Sequence, residues 1–183
     1  EILKFKTTDH IGEINKLIYP TVMFPHKNVD ILINVAKLFK RNSVSMKIIL
    51  TFDQNSGLRE RKFWEKVQTL ELNNYFEFCG RLSRPKLLSK ILEADGMIMP
   101  TLIETYGLPY LESQVFNKLM FTSDRDFARE LCGDAAVYFN PLSAESIYDT
   151  INSYKKAPKK IRKVLDKSNY MLALRITWTV SVA

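Results

Sequence analysis

Cysteine and histidine are scarce in this sequence, with two of each in 183 residues. Cys79 and Cys132 lie far apart and share no metal-ligand spacing with each other or with His10 and His26, so a zinc site is not supported. Two lone thiols read instead as small buried residues in a reducing compartment. Long apolar runs are missing as well; none approaches the roughly 20 residues that a membrane span needs. The opening EILKFKTTDH lacks the charged-then-apolar order of a secretory signal and has no initiator Met, so a piece cut from a longer protein is expected. Internal repeats and low-complexity tracts are absent.

What remains is a composition suited to one α/β domain. With 46% hydrophobic residues the chain can bury a core, which argues against disorder over most of its length. The formal net charge is +7. Much of it comes from Lys155, Lys156, Lys159, Lys160, Arg162, Lys163 and Lys167, which read first as a solvated helix face. The functional alternatives are nucleic acid and an anionic membrane surface. No stacking aromatics interleave these cations, so nucleic acid is the weaker of the two and no nucleic-acid partner is expected.

Apolar runs and helical patterns alternate along the chain. Strands are expected at residues 16–22, 46–52, 75–79, 96–99, 119–123 and 137–139. Between them, helix-period patterns cover 29–41, 58–70, 85–93, 108–116 and 127–131. Ser143 is the expected N-cap of a helix running to Tyr154, and Pro158 opens another. The first of these helices carries an apolar stripe of Val29, Leu32, Ile33, Ala36 and Phe39. Met46–Phe52 (MKIILTF) is apolar throughout, the pattern of a strand buried on both faces. Strands separated by such helices imply right-handed crossovers and a parallel sheet. Ligands then bind beyond the carboxyl ends of the strands, just after Val22, Cys79, Met99 and Ser123. Residues 1–15 are polar and aperiodic, as in a linker or arm.

The densest segment is Pro100–Ser113, PTLIETYGLPYLES. Pro109 belongs in the first turn of a helix, and Gly107 lets the backbone turn sharply before it. The amides of Tyr106, Gly107 and Leu108 then point outward from a helix N-terminus, which attracts anions such as a diphosphate. Glu104 and Glu112 flank that turn. Carboxylates accept hydrogen bonds only, so they suit the hydroxyls of a ribose or sugar rather than phosphate oxygens. The bland alternative is an incidental Glu104 and a dipole-compensating Glu112.

Glu104-x7-Glu112, enclosing Tyr-Gly-Leu-Pro, resembles the E-x7-E motif of the large retaining family called glycosyl transferases group 1. Phe78-Cys79-Gly80-Arg81-Leu82 looks like that family's F-x-G turn, and Leu92–Gly96 like the segment before its fourth strand. Gly133–Pro141 (GDAAVYFNP) and Tyr19-Pro20 with Phe24–Asn28 are similar to two further stretches. Trp178 and Ala183 look like the start of its tail. The likeness covers residues 16–183 in order. It implies a Rossmann-like doubly wound parallel sheet, the C-terminal domain of a GT-B fold, whose N-terminal acceptor domain this chain lacks.

The resemblance assigns roles. Glu112 would hold the ribose hydroxyls, Glu104 would face the donor sugar, and the amides of residues 106–108 would hold the distal phosphate. Lys27 matches the lysine of a basic pair that neutralises the leaving diphosphate, and Gly80 and Arg81 fall where the base is gripped. Two positions depart from the pattern. Val22 stands where the pair has Arg, and Arg81 is the expected substitute, a solvated surface Arg being the plain alternative. Asn117 stands where Gly is common, and Asn also tolerates a left-handed turn. Asp124-Arg125-Asp126 spells the manganese-binding D-x-D of a different glycosyltransferase fold. Here it follows a strand and opens a short helix, so capping is expected, with no metal and no cofactor.

The implied function is transfer of a sugar from a nucleoside-diphosphate sugar to an acceptor, in polysaccharide or glycolipid synthesis. It would take place in the cytoplasm, with the inner membrane face as a peripheral contact. A non-catalytic nucleotide-sugar-binding or assembly module is the alternative that Val22 favours. A receiver-like domain would need an acidic cluster after the first strand, and Thr21–His26 supplies none.

Overall fold

The computed structural model describes residues 12–105 and 107–181, with side chains described through residue 169. Six strands form one all-parallel sheet: β1 (Lys16–Tyr19), β2 (Lys47–Leu50), β3 (Phe76–Phe78), β4 (Gly96–Met99), β5 (Leu119–Ser123) and β6 (Val137–Phe139). Their order is β3-β2-β1-β4-β5-β6. The helices are α1 (Ile31–Arg41), α2 (Leu58–Thr69), α3 (Arg84–Glu93), α4 (Leu108–Val115), α5 (Asp126–Cys132), α6 (Ala144–Lys155) and α7 (Pro158–Ser181). The strand order reverses between β1 and β4, so the loops leaving those strands diverge and open a crevice.

The first three strands are shorter than the apolar runs containing them. Pairing of β1 stops at Tyr19, because Pro20 has no amide to donate and the chain turns away. Met46 and Phe52 flank β2 and are buried without joining its ladder. Hydrophobicity marks burial, whereas a strand also needs a partner.

Each helix covers the sheet for a visible reason. In α1 the residues Leu32, Ile33, Val35, Ala36, Leu38 and Phe39 are all buried, and the helix packs on α6. Burying a Leu, Ile or Phe contributes ~1.5–3 kcal/mol, so this stripe alone anchors α1. Only Phe63 and Val67 are buried in α2. Phe63 compensates by meeting Phe52, Phe76 and Phe78 at ring-centroid distances of 5.4–6.2 Å. Ser143 caps α6 as expected, accepting the Ser146 amide at 3.0 Å.

Three local expectations are corrected. Lys155 is not part of a solvated face: it is 6% exposed, and its Nζ donates to Ile14 O, Asn15 Oδ1 and Ser45 O. These bonds tie the chain at Ile14, itself buried, to the end of α6. The other cations of that stretch are exposed or half-exposed, as read. Neither Asp124 nor Asp126 caps α5 through its side chain. Asp124 takes the Arg129 guanidinium at 2.6 Å instead, and Asp126 sits in the first turn, where its charge opposes the helix dipole. Cys132 is buried, but Cys79 is only half-buried.

Asn117 does adopt the left-handed conformation, with φ 51°. No helix among the described residues is long and apolar enough to cross a membrane.

Candidate functional site

The crevice outside β1 and β4 is built from loops locked to one another. After Tyr19 the chain runs to a single 3-10 turn, Pro25–Lys27. The Tyr19 hydroxyl donates to Lys27 O at 2.9 Å from beneath, and burial holds that phenol protonated by pushing its pKa up. Thr101 Oγ1 and the Leu102 amide both donate to His26 O, at 3.0 and 2.7 Å. Asn28, with φ 53°, donates from Nδ2 to Pro100 O and Pro141 O. Thr21 and Thr51 bond reciprocally, Thr21 N donating to Thr51 Oγ1 and Thr51 Oγ1 to Thr21 O. Loops following β1, β2, β4 and β6 are thus cross-linked at the carboxyl edge of the sheet.

This frame holds Lys27 against Glu104. Their side chains are 18% and 14% exposed, and Nζ lies 2.5 Å from Oε2. A pair so withdrawn from water is a substantial local charge couple, and each partner neutralises the other.

Gly107 follows in the left-handed region, φ 57°, and serves as the N-cap of α4. No side chain caps that helix, Pro109 occupies its first turn, and Leu108 is exposed. Gly107, Leu108 and Pro109, at the start of α4, line the crevice. Tyr106 lies outside the described residues. A second turn into α4, Glu112 is buried and is paired by Arg84, the first residue of α3.

These groups line one cleft of about 430 Å³, together with Pro20, Thr21, Val22, Thr51, Arg81 and Leu82. Of the residues singled out in the sequence, Lys27, Glu104, Glu112, Gly107, Leu108 and Arg81 meet there. Gly80 does not line it; its φ of 67° turns the chain so that Arg81 and Leu82 do. Val22 stands on the wall, 49% exposed and uncharged. Arg84 was not singled out. The only hint was its place beside Pro85 at a helix start, and its meeting with Glu112 depends on how α3 and α4 pack. Among the described residues no group of three or more His, Cys, Asp or Glu could hold a metal ion.

Chemically, the cleft offers a helix N-terminus to an anion, cations on two walls and two carboxylates as acceptors. An all-parallel sheet with a cleft at its switch point defines a Rossmann-like domain. The chain belongs to the glycosyl transferases group 1 family, whose sequence model matches residues 3–170.

A relative is the O-antigen chain mannosyltransferase RfbU of Salmonella typhimurium, 24% identical over 140 residues, which are 76% of this chain and 38% of that protein. Among solved structures, TarM superposes with a TM-score of 0.74 at 15% identity over 90% of this chain and 32% of its own. Sucrose-phosphate synthase from Thermosynechococcus elongatus gives 0.74 at 17%, covering 90% of this chain and 42% of that one. Anabaena HepE, solved with UDP and glucose, gives 0.73 at 16%, covering 94% and 50%. The fold is thus that of a Rossmann-like unit of GT-B glycosyltransferases, and the chain spans half or less of each of these proteins.

Proposed function

We propose that this chain is the C-terminal, donor-binding domain of a retaining glycosyltransferase that uses a nucleoside-diphosphate sugar. The observation that carries the reading is the convergence of Lys27, Glu104, the α4 N-terminus and Glu112 on one cleft at the switch point. The diphosphate lies on the α4 N-terminus, where amides and helix dipole favour negative charge. Glu112 accepts from the ribose hydroxyls. Glu104 faces the donor sugar, and Lys27, held beside it, stabilises the charge that grows on the departing diphosphate. Preorganised cations and amides are the usual large term in such chemistry. No metal or cofactor takes part.

The acceptor and the rest of the reaction surface come from an N-terminal domain on the other side of the cleft, so residues 16–183 alone bind donor and transfer sugar poorly. The likeness to an O-antigen chain mannosyltransferase supports polysaccharide or glycolipid synthesis. A nucleotide-sugar donor fits a reaction in the cytoplasm, with the inner membrane face as a peripheral contact. Val22, an uncharged residue on the cleft wall, favours a second reading: a nucleotide-sugar-binding module without transfer activity.

Calorimetry with the uridine, guanosine and adenosine diphosphates and their glucose and mannose esters, in EDTA, tests the binding claim. Binding of one nucleotide, lost in Glu112→Ala, is the expected result; binding of none of them overturns it. Transfer assays on the full-length protein then separate the two readings.

A further inference from the structure

We propose that Arg84 is the cation that grips the diphosphate from the α3 side of the cleft, exchanging its ion pair with Glu112 for a phosphate as Glu112 turns to hydroxyls. This rests on the cleft being a nucleoside-diphosphate site.

The two partners of the Arg84–Glu112 pair are unequal. The Glu112 side chain is 7% exposed and rides in the body of α4, whereas that of Arg84 is 56% exposed. The carboxylate is therefore fixed and the guanidinium is the arm that moves. Without a cation nearby, the Glu112 carboxylate would be a buried charge lacking a counterion, which is costly. Arg84 relieves that cost in a way that leaves it free to swing.

The other lining charges show why an anion would draw it. The cleft is lined by three cations, Lys27, Arg81 and Arg84, against two carboxylates, Glu104 and Glu112. The loop after β1 contributes only Lys27 of these cations, and Glu104 already engages it. Arg84 is engaged as well, by Glu112, but its side chain is 56% exposed against 18% for Lys27. A diphosphate carrying two or more negative charges therefore draws Arg84 more readily, with Arg81 as the further lining cation.

The start of α3 is electrostatically primed for this. Its first turn holds no acid, Ser83 makes no side-chain cap bond, and Arg84 and Lys86 add positive charge where the helix dipole is already positive. Such a turn is stabilised by a nearby anion. Glu112 is one, and a phosphate would be another. The planar guanidinium has five donors and can hold a phosphate with one edge while still touching Glu112 with the other. The second edge, left on Glu112, keeps a counterion beside the buried carboxylate, while the ribose hydroxyls donate to the lone pairs freed by the edge that turns to the phosphate.

The test is calorimetry on the 183-residue chain with uridine or guanosine diphosphate, whichever binds, and with the matching nucleoside. Arg84→Ala should weaken the diphosphate about tenfold or more, as loss of a bidentate charge-assisted contact requires, and the nucleoside by less than about twofold. Arg84→Lys should recover part of the loss, and the salt dependence of diphosphate binding should become shallower in Arg84→Ala. Lys159→Ala, an exposed charge outside the cleft, should leave both affinities unchanged. Arg84→Gln, which keeps the stem of the side chain, replaces Arg84→Ala if the latter does not fold. Unchanged or tighter diphosphate binding in the variant overturns the proposal, because Arg84 would then only latch Glu112. Equal losses for diphosphate and nucleoside overturn it too, as the mark of a purely structural role. A wild-type chain that binds the nucleoside but no diphosphate defeats this inference; one that binds neither defeats the donor-site reading beneath it.

Discussion

Lys27 Nζ lies 2.5 Å from Glu104 Oε2, joining the loop after β1 to the loop after β4 across the point where the strand order reverses. The pair is largely withdrawn from water, so its members depend on each other. Lys27→Ala should lower stability by ~1–3 kcal/mol by leaving the Glu104 carboxylate without its cation. It should also weaken nucleoside-diphosphate binding. Lys27→Ala combined with Glu104→Ala should recover most of the stability, since no orphan charge remains, but none of the affinity. Urea denaturation and calorimetry on wild type and the two variants check both halves. If the double variant regained affinity as well, Lys27 would not be a diphosphate contact.

Gly107 must remain glycine for two separate reasons. Its φ of 57° is costly for a residue with a side chain, and an added Cβ would lie 2.6 Å from a ring carbon of Tyr110. Tyr110 cannot yield, because it is fully buried and its hydroxyl bonds Thr122 Oγ1 at 2.9 Å. Gly107→Ala should therefore cost ~2–3 kcal/mol, strain and overlap combined, and displace the loop that presents Glu104. Gly80 shares the left-handed φ but has open space around its Cβ position, so Gly80→Ala should cost only ~1 kcal/mol. Thermal denaturation of both variants gives the comparison. Equal destabilisation would mean that backbone strain alone is at work.

The element order was legible because burial on a parallel sheet writes itself as apolar runs, and helices between them as period-3.6 stripes. Gly96–Met99, Leu119–Ser123 and Val137–Phe139 emerged with the bounds read from sequence. The Pro100–Ser113 segment was legible because Gly107 and Pro109 have backbone requirements that few places satisfy. Arg84 was not legible, because its meaning lies in α3 packing beside α4, and Ser83-Arg84-Pro85-Lys86 spells only a helix start. Lys155 failed for the opposite reason. Seven cations in a short stretch look uniform, yet Lys155 ends α6 facing Ile14 and Ser45, whereas the others belong to α7 or to the turn before it.

That buried lysine should matter more than any of its neighbours. Its Nζ satisfies Ile14 O, Asn15 Oδ1 and Ser45 O and lies 3.1 Å from Glu13 Oε1. Lys155→Met keeps most of the volume but strands these acceptors, so the variant should lose ~2–4 kcal/mol. Lys156→Met, an exposed neighbour, should lie within ~0.5 kcal/mol of wild type. Chemical denaturation resolves such a difference, and a Lys155→Met variant as stable as Lys156→Met would mean that water replaces the ammonium.

Cys79 follows the third strand beside the cleft loop, half-buried and within 3.4 Å of Glu77 Oε1. Burial, then its hydrogen bond to the Glu77 carboxylate and that group's charge, push the thiol up to about 11. Burial alone would also raise Glu77, but hydrogen bonds from Lys90 and Cys79 hold it below the usual carboxylate range, so the acceptor stays charged. The thiolate is the nucleophile, so alkylation of Cys79 in the folded chain should be slow at pH 8 and accelerate as the pH climbs toward 11. The sign for stability follows. An unfolded chain releases this proton at the ordinary thiol pKa and the folded chain only later, so rising pH favours unfolding across that window, and the contribution is complete only below it. Cys79→Ser should flatten the loss of stability between about pH 8.5 and 11. Iodoacetamide labelling followed by mass spectrometry reads the first effect, and denaturation at several alkaline pH values reads the second. Rapid labelling of native Cys79 at pH 7 would mean that the Glu77 carboxylate does not hold the thiol proton.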